Sequence, residues 1–245
     1  MKFTTIFGII IGFGTISLIF YFQGGSKYFL NWTALAITLG GTFSATITYF
    51  SWNALRSAFL SFMNIFIKKQ YYPRDVVNII VELCKEARTA GHNSLIDTES
   101  VNKIAFLKKG LTLVVDGVKP EQVENILRRE NHSISERNRI GEKVFRIAGT
   151  FAPMFGLMGT VIGLIIMLNR ISVPEEIPGA MGIALVTTLY GLILAALVFK
   201  PISGKIRDKN QIDTQVREII IEGVLSIQKG ENSQIAKEKL LTYLY

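Results

Sequence analysis

Residues 147–168 read IAGTFAPMFGLMGTVIGLIIML and contain no Asp, Glu, Lys, Arg or His. A helix rises about 1.5 Å per residue, so about 20 apolar residues cross the ~30 Å hydrocarbon core of a bilayer. Three further segments of similar length lack the same five residue types, and they lie at 3–22, 32–52 and 179–199. The pattern predicts an all-α polytopic membrane protein with four transmembrane helices.

The absence of ionisable residues from these segments bears on function. A protein that moves ions across a bilayer alone is expected to keep an ionisable group in the membrane, despite the cost of inserting it. None of the four predicted spans has one. We therefore expect a partner protein to supply the missing carboxylate.

The basic residues predict the orientation in the membrane. Of the 27 Lys and Arg residues, 16 lie in 53–146 and 8 in 200–245. Because cytoplasmic flanks collect Lys and Arg, we expect a multi-pass protein of the cell inner membrane with both termini in the cytoplasm. The net charge of +8 suits contact with anionic membrane lipid or an acidic partner. Acidic residues are interleaved with the basic ones, which disfavours a nucleic-acid partner.

Both polar regions are predicted to be helical. Apolar residues recur at three- and four-residue spacing over 74–90 and 120–130, and amphipathic segments flank a Gly-Glu-Asn break at 230–232. The C-terminal helices are expected to pack on the insert. The predicted organisation is a first transmembrane hairpin, a cytoplasmic helical domain, a second transmembrane hairpin and cytoplasmic C-terminal helices, at 1–52, 53–146, 147–201 and 202–245.

No enzyme or resident cofactor is predicted. The chain has one cysteine, Cys84, and two histidines, which excludes an internal disulfide and any Cys/His set with metal-ligand spacing. Motifs such as G-x-S-x-G, G-x-x-x-x-G-K-[ST] and G-x-G-x-x-G are absent from the sequence. Cys84 is interpreted as a packing residue of the helix at 74–90.

Two threonines and two prolines mark a candidate ion path. Thr160 lies 13 residues from the cytoplasmic start of its span and Thr188 lies 12 residues from Lys200, so both are expected about 18–20 Å inward. Their hydroxyls could share a site for a transient Na⁺, and no other metal is predicted. Pro153 and Pro201 each remove a helix hydrogen bond and free a carbonyl. The alternative for each threonine is a hydrogen bond to its own helix.

These residues belong to motifs that resemble the MotA/TolQ/ExbB proton-channel group and, within it, the MotA and PomA flagellar stator proteins. The likeness extends over nearly the whole chain. Its motifs are Leu39-Gly40-Gly41-Thr42, Leu107-Lys108-Lys109-Gly110, Gly141-Glu142-Lys143-Val144-Phe145, Ala152-Pro153, Gly159-Thr160, Thr187-Thr188-Leu189-Tyr190-Gly191 and Glu222-Gly223-Val224.

The resemblance implies a homopentamer that surrounds two helices of a MotB- or PomB-like, peptidoglycan-anchored partner. In such complexes the partner's membrane Asp carries the ion, and ion passage rotates the ring. The matching positions here are Pro153 and Pro201 for coupling, and Thr160, Thr187 and Thr188 for the ion pathway. The cytoplasmic domains of the family push the rotor protein FliG.

The implied rotor contact departs from the family pattern. Arg88 matches the rotor-facing Arg of the family, but Ile96 occupies the position where an acidic residue is expected, and Asp97 follows it. A shift of one residue turns a helical side chain by about 100°. Either Asp97 replaces the acidic residue or the electrostatics at the rotor differ.

Two alternatives concern the ion and the function. Thr160 resembles sodium-driven stators, where many proton-driven ones have Ala, so Na⁺ is favoured and H⁺ stays open. The second functional hypothesis is an ExbB/TolQ-like, proton-driven energiser of envelope transport. Those proteins have one span before their large insert, whereas two are predicted here. A membrane scaffold without ion flux would leave the paired prolines and threonines unexplained.

Overall fold

A computed structural model describes residues 2–22, 29–67 and 70–244, and in that part of the chain there is no β-strand. Eleven α-helices follow one another along the described residues. Their bounds are α1 Lys2–Phe22, α2 Trp32–Leu35, α3 Gly41–Tyr49, α4 Trp52–Ile67, α5 Pro73–Ala90, α6 Glu99–Asn102, α7 Ala105–Val115, α8 Pro120–Asn169, α9 Ile177–Ile193, α10 Lys200–Gln228 and α11 Ser233–Leu241.

The chain forms two compact units. The membrane unit comprises Met1–Ile67 and Asn138–Arg207, and the extramembrane unit comprises Lys68–Arg137 and Asp208–Tyr245. All four predicted spans lie in the membrane unit. The boundaries of the four segments proposed from sequence remain predictions.

Two helical stretches of the described chain are long and apolar enough to cross a membrane, Pro120–Asn169 and Pro174–Gln228. They contain the predicted spans 147–168 and 179–199. A shorter apolar stretch, Ile10–Ile19, lies within α1, which covers the first predicted span. Near the end of the second predicted span, α3 stops at Tyr49 and α4 begins at Trp52.

The third span is the end of a much longer helix. Helical periodicity is visible in the sequence at 120–130 and a span is predicted at 147–168, and α8 covers both without interruption over 50 residues. Pro120 begins it, where a missing N–H costs nothing. The intervening residues include many Arg and Glu, which are good helix formers, and they contain no proline.

Two π-helical stretches interrupt the regular turns of the membrane unit. Residues Ala36–Gly40 connect α2 to α3, and residues Leu194–Phe199 connect α9 to α10. A π-helical turn inserts extra backbone into a helix and occurs frequently at functional sites. The first stretch packs against α9, and α1 packs against the second. Neither stretch was predicted from the sequence.

The extramembrane unit has one apolar core, to which α5, α7, α10 and α11 contribute. The predicted helix at 74–90 is confirmed as α5, and α11 packs against it as expected. Asn232 caps α11, because its side-chain oxygen accepts a hydrogen bond of 2.9 Å from the Gln234 N–H. Cys84 is buried in this core, and burial, with a smaller contribution from Glu231, raises the pKa of its thiol to about 11.

Candidate functional site

The candidate site is built on the close contact between α8 and α9. A Cβ added to Gly163 would lie 2.7 Å from the Cβ of Ala184, and one added to Gly191 would lie 2.6 Å from the carbonyl oxygen of Ala152. A Cβ on Gly156 would meet the Thr187 carbonyl oxygen at 3.0 Å. Small residues let helix backbones approach where lipid provides no hydrophobic drive. The two helices therefore lie backbone to backbone at this level.

Pro153 lies at this contact. It is inside α8, and its Cα would lie 3.2 Å from a Cβ on Gly191. Because proline has no N–H, the carbonyl of Gly149, one turn earlier, loses its helical partner. Gly149 faces the other proline's segment: a Cβ there would lie 3.2 Å from Phe199 Cβ.

Pro201 is the second residue of α10, directly after the π-helical stretch Leu194–Phe199. Lys200, which precedes it, is exposed. Like Pro153, Pro201 leaves a carbonyl of the preceding turn without its helical donor. The structure thus places the two prolines on neighbouring helices, with irregular or unpaired backbone beside each.

The three threonines differ in their hydrogen bonds. The Thr160 hydroxyl donates to the Leu157 carbonyl at 2.6 Å, and the buried Thr187 hydroxyl donates to the Ala184 carbonyl at 2.8 Å. Both are bonds within the threonine's own helix. Thr188 instead donates across to α8, with its hydroxyl 3.4 Å from the Gly156 carbonyl oxygen.

A shared site for Thr160 and Thr188 therefore remains a prediction, because their hydroxyls donate to different carbonyls. A donated hydroxyl keeps its lone pairs for a cation. Within the described residues, no group of three or more His, Cys, Asp or Glu side chains could hold a metal ion. The oxygen ligands available near Thr188 are hydroxyls and backbone carbonyls.

A second set of hydroxyls was missed by the sequence analysis. Thr38, Thr42 and Thr46 are buried along the second span, and each donates to the carbonyl four residues earlier. Thr38 also lies 3.4 Å from the carbonyl oxygen of Thr187. Their spacing of four residues places them on one helix face, and this spacing could have revealed the set from the sequence.

Tyr190 fixes the connection that precedes the second span. Its hydroxyl donates to the Phe29 carbonyl and accepts a hydrogen bond of 3.2 Å from the Asn31 N–H. Asn31 in turn caps α2, since its side chain accepts from the Ala34 N–H at 3.0 Å. The segment Thr187-Thr188-Leu189-Tyr190-Gly191 therefore contacts both the second span and α8.

The predicted rotor-contact residues lie in the extramembrane unit. Arg88 is in the last turn of α5 and is exposed, in a position that favours a cation because of the helix dipole. Asp97 is exposed in the loop after the 3₁₀ turn His92–Leu95. Ile96, between that turn and Asp97, is partly buried. Both charged side chains are accessible, and their rotor role stays a prediction.

Comparisons with known proteins agree with this fold. The chain matches the model of the MotA/TolQ/ExbB proton channel family over residues 99–219. It is 36% identical over 247 residues to Motility protein A of Borreliella burgdorferi, covering 100% of this chain and 94% of that protein. It is 34% identical to Chemotaxis protein PomA of Vibrio alginolyticus, covering 100% of this chain and 96% of that protein.

The same likeness extends to a solved structure. The flagellar MotAB stator complex from Bacillus subtilis matches with a TM-score of 0.86 and 30% identity, over 98% of this chain and 95% of that one. The match confirms the predicted fold class, an all-α membrane protein with four transmembrane helices and a helical cytoplasmic domain. On the strength of relatives that align from end to end, the chain belongs to the MotA/TolQ/ExbB proton channel family.

Proposed function

We propose that this chain is the ion-conducting stator subunit of a bacterial flagellar motor. The observation that carries the proposal is the end-to-end likeness to Motility protein A and to the stator complex from Bacillus subtilis. The arrangement of two spans before the insert favours this function over an ExbB/TolQ-like energiser. The subunit has no enzymatic role in this proposal.

The proposed partner is a MotB-like protein that contributes a membrane Asp and anchors the complex to peptidoglycan. The four spans contain no carboxylate of their own, so ion transfer through them needs one from outside. Freed carbonyls near Pro153 and Pro201 and the hydroxyl of Thr188 are oxygen ligands that could bind a cation together with a partner carboxylate. The subunit is proposed to form a pentamer around the partner, in the inner membrane with both termini inside.

Sodium is the proposed coupling ion, with H⁺ as the alternative. Na⁺ must exchange water for protein oxygens, and hard cations prefer hydroxyl, carbonyl and carboxylate ligands. Thr160 and Thr188 add hydroxyls beside the α8–α9 contact, and both keep lone pairs when they donate. Thr187 and its carbonyl link this level to Thr38 of the second span.

The test is the swimming speed of a stator-deleted host that expresses this chain with its partner, measured while external Na⁺ is varied at constant pH and ionic strength. A speed that rises and saturates with Na⁺ supports a sodium-driven stator. Speed that ignores Na⁺ and collapses with a protonophore makes H⁺ the coupling ion. If the complex assembles and restores no motility, the stator function itself is refuted.

The rotor contact is tested separately. We propose that Arg88 and Asp97 face FliG, since both are exposed on the extramembrane unit. Arg88→Glu should lower the torque while ion flux and assembly are retained, and Arg74→Glu, on the first turn of the same helix, is the matched control. Equal torque in the Arg88 variant and the wild type would count against this contact.

A further inference from the structure

One carboxylate of the membrane unit stands apart from the others. Residues 1–67 and 138–207 contain three acidic side chains in all, Glu142, Glu175 and Glu176. Glu175 and Glu176 lie in the exposed connection between α8 and α9. Glu142 lies in α8, five residues before the apolar stretch 147–168. It is therefore the single acidic residue of the unit at the opposite end of this stretch.

Glu142 is surrounded in the sequence by positive charge. Besides Lys2, seven basic residues of the membrane unit flank the same ends of the spans, namely Arg56, Arg139, Lys143, Arg146, Lys200, Lys205 and Arg207. This basic belt has an excess of positive over negative charge, and a net positive potential opposes the passage of a cation. A cation that leaves the spans at this end must pass the belt.

The Glu142 side chain is held in a defined place. Its Oε1 accepts a hydrogen bond of 2.8 Å from the Ser203 hydroxyl and lies 3.3 Å from Nε of Arg146. The side chain is only 13% exposed. Ser203 is two residues beyond Pro201, so this hydrogen bond ties α8 to the start of α10. Next to it in the sequence, a Cβ added to Gly141 would lie 2.6 Å from Oγ of Ser61, so α8 and α4 are in close contact at this level.

The distance along α8 sets the geometry of an exit path. Glu142 and Thr160 are 18 residues apart in one helix, which corresponds to about 27 Å. Pro153 lies between them. A cation released beside Thr160 or Thr188 would therefore meet the Glu142 carboxylate after it has passed the α8–α9 contact.

We propose that Glu142 is the exit carboxylate of the ion path, whose charge lets a cation cross the basic belt on its way to the cytoplasm. The inference rests on the proposed ion-conducting function. Acidic side chains at channel mouths favour cations in the same way. In this proposal the charge of Glu142 acts on the cation, the Ser203 hydroxyl only donates a hydrogen bond to the carboxylate, and Arg146 competes with the passing cation for it.

The experiment measures ion uptake into liposomes that contain this chain with its MotB-like partner, in a form of the partner that leaves the channel open. A potassium-diffusion potential drives uptake, and dyes for Na⁺ and for pH report both ions. Glu142→Gln keeps an oxygen that Ser203 can donate to but removes the charge. We expect about tenfold slower uptake, the equivalent of ~1.4 kcal/mol.

Three further variants separate charge from structure. Ser203→Ala keeps the charge and should change uptake less than about twofold, while Glu175→Gln, which loses a charge at the other end, should leave it unchanged. Arg146→Gln removes the competing cation and should raise uptake. Uptake is compared between equal amounts of assembled complex. If Glu142→Gln does not assemble, Arg146→Gln still tests the proposal.

The outcomes distinguish the exit role of Glu142 from the proposed ion-conducting function. Uptake by Glu142→Gln equal to that of the wild type, or a loss in Ser203→Ala as large as in Glu142→Gln, overturns the exit role and leaves the proposed function intact. A fall in uptake with Arg146→Gln also overturns it. A wild-type complex that takes up neither Na⁺ nor H⁺ contradicts the proposed function itself.

Discussion

The two units of this protein bury opposite kinds of side chain. In the extramembrane unit, large aliphatic residues such as Ile80, Leu107 and Ile220 are fully buried. In the membrane unit, Gly and Ala residues fill the α8–α9 contact, while Leu157 and Ile165 of the same helix are exposed. Lipid solvates an aliphatic side chain as well as a protein core does, so burial there provides no hydrophobic drive. Close backbone packing must replace it.

The largest loss of stability is expected when a core side chain of the extramembrane unit is truncated. Ile220→Ala removes a side chain that is 0% exposed and should destabilise the extramembrane unit by about 2–5 kcal/mol. Ile10→Ala makes the same change on a side chain that is 61% exposed in the membrane unit, and it should cost less than ~0.5 kcal/mol. Thermal unfolding of the purified complex, followed with hydrogen exchange in each unit, measures both. Equal losses would remove the contrast between the two units.

Adding a side chain at the α8–α9 contact should destabilise the membrane unit, as deleting a core side chain destabilises the extramembrane unit. Gly191→Val adds a side chain whose Cβ would lie 2.6 Å from the Ala152 carbonyl oxygen. This neighbour is backbone of α8, which cannot move aside without a cost in stability. We expect a loss of about 3 kcal/mol and failure of assembly. The matched control is Gly182→Val in the same helix, where a Cβ has no neighbour within 4 Å in this subunit. Yield of the assembled complex and its melting temperature are the readouts, and a stable, motile Gly191 variant would contradict the packing argument.

A smaller energetic effect with a large functional one is expected at Thr188. Thr188→Ala removes a hydroxyl whose hydrogen bond to Gly156 is long at 3.4 Å, so stability should change by less than ~1 kcal/mol. Rotation should nevertheless stop or slow greatly, because the hydroxyl belongs to the proposed ion path. The control is Thr15→Ala on α1, where the hydroxyl donates to its own helix. Tethered-cell rotation measures the functional effect, and the melting temperature measures the effect on stability. Normal torque in the Thr188 variant would refute the role of this hydroxyl in the ion path.

The positions of the membrane spans could be predicted from the sequence. Runs without charge identify the spans, because a missing Asp or Lys is visible in the letters alone. Small residues are equally visible in the sequence, and the structure shows two of them, Gly163 and Ala184, in contact. Pro73 and Pro120 begin α5 and α8, and each is visible in the sequence as a residue that is favoured at the first helical position.

Other features depend on interactions that a sequence pattern does not encode. The π-helical stretch Leu194–Phe199 shifts the backbone register by one residue, and its composition is that of an ordinary apolar helix. The partner of each threonine hydroxyl was also undetermined, since Thr188 and Thr160 are alike in sequence and differ only in which carbonyl lies nearby. The cross-helix contact of Glu142 with Ser203 joins residues 61 positions apart.

The smallest effect concerns pH and tests the charged surface of the extramembrane unit. The Lys239 ammonium lies 2.8 Å from Oε1 of Glu231, and its hydrogen bond holds the pKa of that carboxyl below its ordinary value. A carboxyl with a lowered pKa in the folded state adds stability above the pKa it has when unfolded, and that stability is lost as the pH falls through the folded value. Lys239 is exposed to water and Glu231 is partly exposed, so the pair should contribute less than ~1 kcal/mol.

Lys239→Gln should therefore lower the melting temperature slightly at pH 7, and the difference from wild type should vanish as Glu231 is protonated in the acid range. Lys237→Gln, on the same helix, is the control for the loss of a positive charge. High salt should shrink the difference at pH 7, because exposed pairs are screened. The four spans carry no carboxylate at all, so none of this acid-dependent loss can arise within them. If hydrogen exchange near pH 4 showed the spans opening before the core around Ile220, the contrast between a charged, water-exposed unit and an uncharged membrane unit would fail.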